Sequence, residues 1–490
     1  MGYKSVKALV VAALLAAGLA ACVPLFGNGA VLTVTPLGSL ATISWPAVVV
    51  DADKTVTEYR IDVDGTEYAR VSGATLSCVV TGLPLGTSGT IAVSAYDSAG
   101  QWGGDATSGG YVTAGYTTPA SAVASGPHGC VATTDTDSDR LPDAVETNNG
   151  AFTSAAATGT NPNVADTDTD GMDDGDEVFG TTGGVDLHAM GASPTKKDLA
   201  FEFDWFDDNA DAASCAAHSH RPTPAVISKV TTAYGNAPVA NPDGTTGIHV
   251  IADYGQGGAF TGGNLIADAD GVIAGGVNGA DYTAAKSANF NANRQGLFHY
   301  VLNVHRYNVT STSSGQAEIN GNDLVVSLYC FASMAYSSSS DQYVANTILH
   351  ENGHNLGLRH GGNVDTNYKP NYNSIMNYQF QFPGVDTNCD RTGDNVLDYS
   401  TGARATLNEA ALLETDGICS GVDIDWNGNA VIDAGPIARD INQDGLATGV
   451  HADHDDWANI SLTAVNNGAS PDGRTAPEII DEQPVPLPGR

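Results

Sequence analysis

His350 and His354 stand four residues apart, with Glu351 directly after the first. On a helix that spacing puts both imidazoles on one face, one turn apart, where they can grip a single metal ion. Glu351 sits beside that ion and can take a proton from a water on it. Gly357 follows three residues after His354 and suits the left-handed turn that ends a helix. The turn lets His360 return as a third nitrogen ligand. Three protein ligands plus one water make the open shell of a catalytic zinc, not the closed four-ligand shell of a structural one.

A helix and a sheet must hold these groups. The spacing predicts a helix that starts near Ser339 or Ser340, both good caps, with Val344 and Ile348 as its core-facing stripe. Upstream, residues 197–205, 247–251, 297–302 and 323–328 read as strands, and Pro224 to Tyr234 reads as a helix between the first two. Strands interleaved with helices predict an α+β unit over 184–462 with a mixed sheet.

Downstream of the histidines, Ser374-Ile375-Met376-Asn377-Tyr378 completes a longer pattern. H-E-x-x-H-x-x-G-x-x-H followed by such a turn resembles the metzincin clan of zinc metallopeptidases. The resemblance implies peptide-bond hydrolysis, with zinc on His350, His354 and His360. It gives Glu351 the role of general base and then general acid. Met376 becomes apolar packing beneath the ligands. In astacin-like and serralysin-like members a tyrosine at the place of Tyr378 resembles a switchable extra ligand that helps stabilise the oxyanion. The resemblance also implies an edge strand before the active-site helix that pairs with substrate, here Asp323 to Leu328. A zinc hydrolase of non-peptide bonds fits the same residues. So does a calcium-stabilised surface adhesin with a vestigial zinc site, although the intact Glu351 argues against it.

Residues 116–183 lack apolar periodicity and carry two acidic ladders. Asp135, Asp137, Asp139, Asp143 and Glu146 form the first; Asp166, Asp168, Asp170, Asp174 and Glu177 form the second. Both place oxygens at positions 1, 3, 5, 9 and 12, the schedule of an EF-hand calcium loop. The second has Gly171 at position 6, where the turn is sharp, and the first has Arg140 there. They resemble bacterial calcium loops related to thrombospondin type 3 repeats. The expected role is structural, cross-linking a segment without its own core; a solvated acidic linker is the alternative. Asp423–Gly428 and Asp440–Gly445 are shorter candidates that lack a closing glutamate.

Period-two alternation over residues 29–115, broken by turn residues, predicts an all-β sandwich. ISWPA, EYRIDVDG and GLPLGTSGTIAVSAYDSAG resemble a fibronectin type III domain, except that Gly89 stands where that family carries a corner tyrosine. The expected role is a spacer or weak adhesive module.

Lys4 and Lys7 precede an apolar stretch that is too short to span a membrane and ends in Leu19-Ala20-Ala21-Cys22. This resembles a bacterial lipobox. It implies a signal peptide over 1–21, a lipid on Cys22, a tether over 22–28 and anchoring to a membrane outside the cytoplasm. An ordinary secretory signal is the alternative. Six further cysteines suggest three disulfides in an exported chain, with Cys389–Cys419 as the first pairing expected. The excess of acid, 56 residues against 20 basic, excludes the clustered cations that nucleic-acid binding needs. The expected partners are a protein or peptide substrate and, through Cys22, a membrane. His218 with His220 and His451 with His454 lack a spaced third ligand and read as surface or hydrogen-bonded histidines. Residues 463–490 read as a disordered tail.

Overall fold

The structure, a computed structural model, describes residues 23–105, 109–121, 123–206, 219–267, 271–306, 313–328, 338–419, 421–463 and 478–481. The expected signal segment, Cys22, Cys215, His218 and Cys330 lie outside them. Among the described residues, no helix is long and apolar enough to cross a membrane.

Alternating side chains build the first unit. β1 (Thr33–Leu37), β2 (Leu40–Ser44), β5 (Ser77–Thr81) and β8 (Gly129–Val131) form one antiparallel sheet. β4 (Thr66–Ser72), β3 (Val56–Val63), β6 (Ser88–Asp97) and β7 (Tyr111–Thr117) form the other. Their inward residues, among them Ile43, Trp45, Tyr59, Ile61 and Val93, share one core. Pairing runs past residue 115, where the sequence places the end of the sandwich, because β8 joins β5 and Cys130 is bonded to Cys78. Gly89 is explained locally. A Cβ there would overlap the Asp64 carboxylate, which accepts a hydrogen bond from the Tyr116 hydroxyl at 2.9 Å.

The acidic segment is not coreless, contrary to expectation. Val123, Leu141, Val145, Ala155 and Val178 pack into a small core of their own. A short helix, α1 (Asp174–Phe179), closes the second ladder.

The third unit is a mixed sheet covered on both faces. β9 (Asp198–Phe206), β10 (His249–Asp253), β12 (Phe298–Val304) and β14 (Asp323–Ser327) run parallel in the order β10-β9-β12-β14. The two-residue β11 (Leu265–Ile266) adds to the end of β9. On one face, Leu199, Phe201 and Phe203 of β9 meet α2 (Pro224–Gly235) and α4 (Ser338–Asn355). On the other, Ala200 and Phe206 pack with Tyr282 of α3 (Ala280–Asn289). Burial of both faces fits the largely apolar run of β12, and β9 also buries Asp198, Glu202 and Asp204 among its apolar residues. α2 begins at Thr223, whose hydroxyl accepts the Val226 amide, with Pro224 in the first turn.

The expected edge strand is corrected. β14 is interior, and β13 (Gly315–Ile319) lies outside it, antiparallel. The sequence GQAEI has little strand signature, so its place comes from the sheet and not from propensity. A second correction concerns the tail: β17 (Glu478–Asp481) pairs antiparallel with β13, since an edge offers unpaired backbone groups to any extended segment.

Leu407, Leu412, Ile418, Ile424, Trp426 and Ile441 form the core of a further, C-terminal lobe, closed by the expected Cys389–Cys419 bridge, while Tyr399, Trp457 and Leu462 join the main core. β15 (Leu407–Asn408) and β16 (Val450–His451) pair there. Among the described residues the whole is mostly β-sheet in several units, with few helices.

Candidate metal centre

α4 packs on α2 and lies along β13 and β14, burying Val344, Ala345, Ile348 and Leu349. Its last two turns carry His350, Glu351 and His354. The chain then reverses as expected. Gly357 has φ +100°, its amide donates to the His354 carbonyl at 2.9 Å, and the Leu358 amide donates to the Gly353 carbonyl at 2.8 Å. His360 comes back over the helix end. One ring nitrogen from each of His350, His354 and His360 lies within 4.8 Å of the others. The ring centroids are 5.0, 5.0 and 5.4 Å apart.

In His350 and His354 the second ring nitrogen is held by the backbone. His350 Nδ1 lies 2.8 Å from the Ile375 carbonyl, and His354 Nδ1 lies 2.7 Å from the Leu358 carbonyl. A carbonyl only accepts, so each Nδ1 carries its proton and each Nε2 keeps a lone pair for a ligand. All three histidines and Glu351 are buried. Such a group fits a borderline metal that takes nitrogen donors.

Two glycines that sequence reasoning passed over make room. A Cβ on Gly315, at the start of β13, would overlap the Glu351 carboxyl. One on Gly353 would overlap the Met376 sulfur. Met376 is thus packed against the helix that carries the histidines, and the Ser374 hydroxyl caps its amide at 3.2 Å. Tyr378 is buried, with its ring 4.4 Å from His360 and 5.9 Å from His350, centroid to centroid. Behind the helix, the Tyr399 hydroxyl donates to the Leu349 carbonyl at 2.6 Å, and Tyr234 donates to Asn352. These two aromatics have no period that marks them in the sequence.

The acidic ladders draw together in a different way from an EF-hand. Asp135, Asp137 and Asp139 form one cluster, and Asp166, Asp168 and Asp170 another, each with oxygens within 4.8 Å of one another. The closing glutamates join through a third party: Asp139 and Glu146 meet Asp174, while Asp170 and Glu177 meet Asp198. Asp198 was invisible in the sequence because it belongs to β9. Asp143 lies in none of these groups: its carboxylate accepts the Thr136 amide at 2.8 Å and hydroxyl at 2.7 Å. Asp174 braces Thr167 in the same way, at 2.9 and 2.7 Å. Position 9 therefore stiffens each loop.

Burial, reinforced by neighbouring carboxylates, pushes Asp139 up to about 7 and Glu146 to about 8. It also raises Asp170, Glu177 and Asp198. Among the described residues, neither Glu177 oxygen and neither Asp137 oxygen has a hydrogen-bond donor. Buried carboxylates without donors call for a cation, and an all-oxygen set suits a hard one such as calcium.

The shorter candidates do not gather. Asp425 accepts the amides of Gly428, Asn429 and Ala430, and Asp440 accepts those of Gln443 and Gly445, as in plain Asx turns. Among the described residues, neither stretch forms a cluster of three metal-ligand atoms. His451 lies beside Glu409, and His299 Nδ1 sits 3.1 Å from the Asn355 side-chain oxygen.

No protein-family model matches the chain, and no curated protein matches it. Solved structures overlap locally. The sixth fibronectin type III domain from human fibronectin type III domain containing protein 3 is 27% identical, covering 20% of this chain and 86% of that one, with a TM-score of 0.15. The fn3 domain of human collagen alpha-1(XX) chain is 20% identical over 26% of this chain and 97% of that one, TM-score 0.16. The Clostridium perfringens spore cortex lytic enzyme SleM is 16% identical over 20% of this chain, TM-score 0.15, and the match spans only 28% of that protein's chain.

Proposed function

We propose that this protein is an extracytoplasmic zinc-dependent endopeptidase of the metzincin kind, carried on a fibronectin type III-like sandwich and a calcium-binding segment. The observation that carries the reading is the convergence of His350, His354 and His360 beside the buried Glu351. A zinc ion held by these histidines would acidify a water and polarise the scissile carbonyl.

The chain's own groups do the rest. Ile375 and Leu358 fix the tautomers of His350 and His354. Glu351, held against Gly315, accepts the proton of the attacking water and delivers it to the leaving amine. Tyr378, against His360, is the group available to steady the developing oxyanion. The bonded pairs Cys78–Cys130 and Cys389–Cys419 suit an oxidising compartment outside the cytoplasm, where the expected signal and Cys22 would direct the chain.

The test compares wild type with Glu351→Gln on a broad protein substrate, with zinc measured in both. Cleavage by wild type, and its loss by at least about a hundredfold in a variant that still holds zinc, supports the reading. A wild type that holds zinc and cleaves nothing would favour the adhesin instead.

A further inference from the structure

We propose that Asp198, the first residue of β9, completes the calcium site of the second acidic loop and so staples that segment to the catalytic sheet. This rests on the calcium reading of the loops given above and adds a ligand from outside them.

Three carboxylates meet at this point. Asp170 comes from the loop, Glu177 from α1 and Asp198 from the sheet, with oxygens within 4.8 Å of one another. All three side chains are buried, and Glu177 is 0% exposed. Hydrogen bonds account for only part of the cluster. Asp170 accepts the amides of Met172 and Asp198. Asp198 accepts the Ser193 amide at 3.0 Å and pairs with His249. Glu177 stands apart, because among the described residues neither of its oxygens meets a donor. A buried carboxylate aimed at two others is strongly disfavoured as an anion unless a cation joins them. His249 pairs with Asp198, and Lys197 donates from its ammonium to the Thr169 hydroxyl.

The first loop repeats the arrangement. Its Asp139 and Glu146 meet Asp174, which belongs to the second loop. Each loop thus supplies its fifth and twelfth positions and takes a third carboxylate from the unit that follows. The first site ties loop to loop, and the second ties loop to sheet. In an EF-hand the third group would come from position 9 of the same loop. Here Asp143 is taken up by Thr136, while Asp174 braces Thr167 and also faces the first loop's cluster, so neither position 9 joins the cluster of its own closing glutamate. Calcium, with six to eight oxygen ligands and tolerant geometry, suits such a bridging set better than magnesium does.

The experiment titrates calcium into the chelator-stripped full-length protein, comparing wild type with Asp198→Asn and Asp139→Asn. Thermal unfolding is followed with and without calcium. For Asp198→Asn we expect one site to weaken by about tenfold or more, since ligand charge sets affinity in such sites. Asp139→Asn should weaken the other site and leave the second in place. A crossover is also expected. In chelator Asp198→Asn melts no lower than wild type, because a buried charge is gone, whereas in calcium it melts lower. That pattern separates a ligand from a residue that merely supports the fold. Limited proteolysis should cut Asp198→Asn between residues 178 and 198 in calcium, where wild type resists. Wild type that binds no calcium overturns the calcium reading itself. Wild type that binds calcium, with Asp198→Asn equal to it in affinity and calcium-dependent melting, overturns the role of Asp198 alone.

Discussion

Gly353 lies against the sulfur of Met376, so closely that a Cβ on the glycine would overlap it and reach the Tyr399 ring. The glycine sits inside the histidine motif, between Glu351 and His354. Helix interiors disfavour glycine by up to about 1 kcal/mol relative to alanine, so Gly353→Ala should help an isolated helix. In this protein the opposite is expected. The added methyl should force α4 off the Met376 platform, cost about 1–3 kcal/mol and, on the zinc reading, lower bound zinc. Met376→Leu keeps the volume and should cost less than about 1.5 kcal/mol, with zinc retained. Urea unfolding and metal content per chain check both; an unchanged midpoint and zinc content in Gly353→Ala would remove the argument.

β13 supplies a second prediction. Its first residue, Gly315, faces Glu351, and its outer edge is taken by β17 with Gln316 opposite Asp481 and Ile319 opposite Glu478. An extended peptide reaching the metal centre would need that same edge. On the peptidase reading, deleting residues 478–490 should lower KM for a peptide by about tenfold, the equivalent of one or two net backbone hydrogen bonds. Zinc content and kcat should be little changed. Kinetics that do not differ between full-length and shortened protein would mean that β17 does not compete. Gly315→Ala should instead depress kcat, because the methyl displaces the Glu351 carboxyl.

The legible part of this chain was the part written in local spacing. His350, His354, Gly357 and His360 announce their convergence because a helix and one tight turn bring them together. The sandwich strands announce themselves by alternation. What sequence could not give was pairing at a distance. β13 is a weak, polar stretch with little strand signature, whereas the resemblance points to the more apolar Asp323–Leu328 as the edge. Asp198 looks like one residue of a strand over 197–205, and only the sheet's placement brings it to Glu177. Asp143 fits a loop schedule that Thr136 overrides, and Asp174 joins the first loop's cluster instead of its own. The core formed by Leu141, Val145 and Val178 was hidden among acids because its members are few and irregularly spaced.

Arg294 carries a third prediction. It is buried, and its guanidinium reaches Glu202 and Asp253, each at 2.7 Å, on adjacent strands of the sheet. Burial still pushes Glu202 up to about 7, despite the pull of Arg294 the other way. Arg294→Met leaves two buried carboxylates with no cation and should cost about 3–5 kcal/mol. The loss should be smaller at pH 5.5 than at pH 8. The Glu202 carboxyl, raised by burial and no longer opposed by Arg294, takes up a proton more readily than in the unfolded chain, so the variant's stability falls as pH rises. Chemical denaturation at the two pH values tests this, and a loss independent of pH would contradict it. Adding Glu202→Gln and Asp253→Asn to Arg294→Met should restore much of the deficit.

Asp456 ties the turn that precedes Met376 to the C-terminal lobe. The Tyr372 hydroxyl lies 3.0 and 2.9 Å from its two oxygens, and the Ser400 amide donates to one of them at 3.0 Å. Burial raises its carboxyl to about 7, and the hydrogen bonds offset only part of that rise. In the unfolded chain an aspartate titrates near ~3.9. The folded protein therefore holds this proton more tightly. The stability it contributes is complete below the unfolded value and is lost as pH rises through about 7. Asp456→Asn carries no such proton and pays only a constant cost for the changed acceptor. Between pH 5 and 7 the variant should gain on wild type, with a slope approaching ~1.4 kcal/mol per pH unit. Urea midpoints of both proteins at half-unit intervals measure that slope. A difference that stays flat across the range would show Asp456 ionised throughout, held by Tyr372 and Ser400 more strongly than burial opposes it.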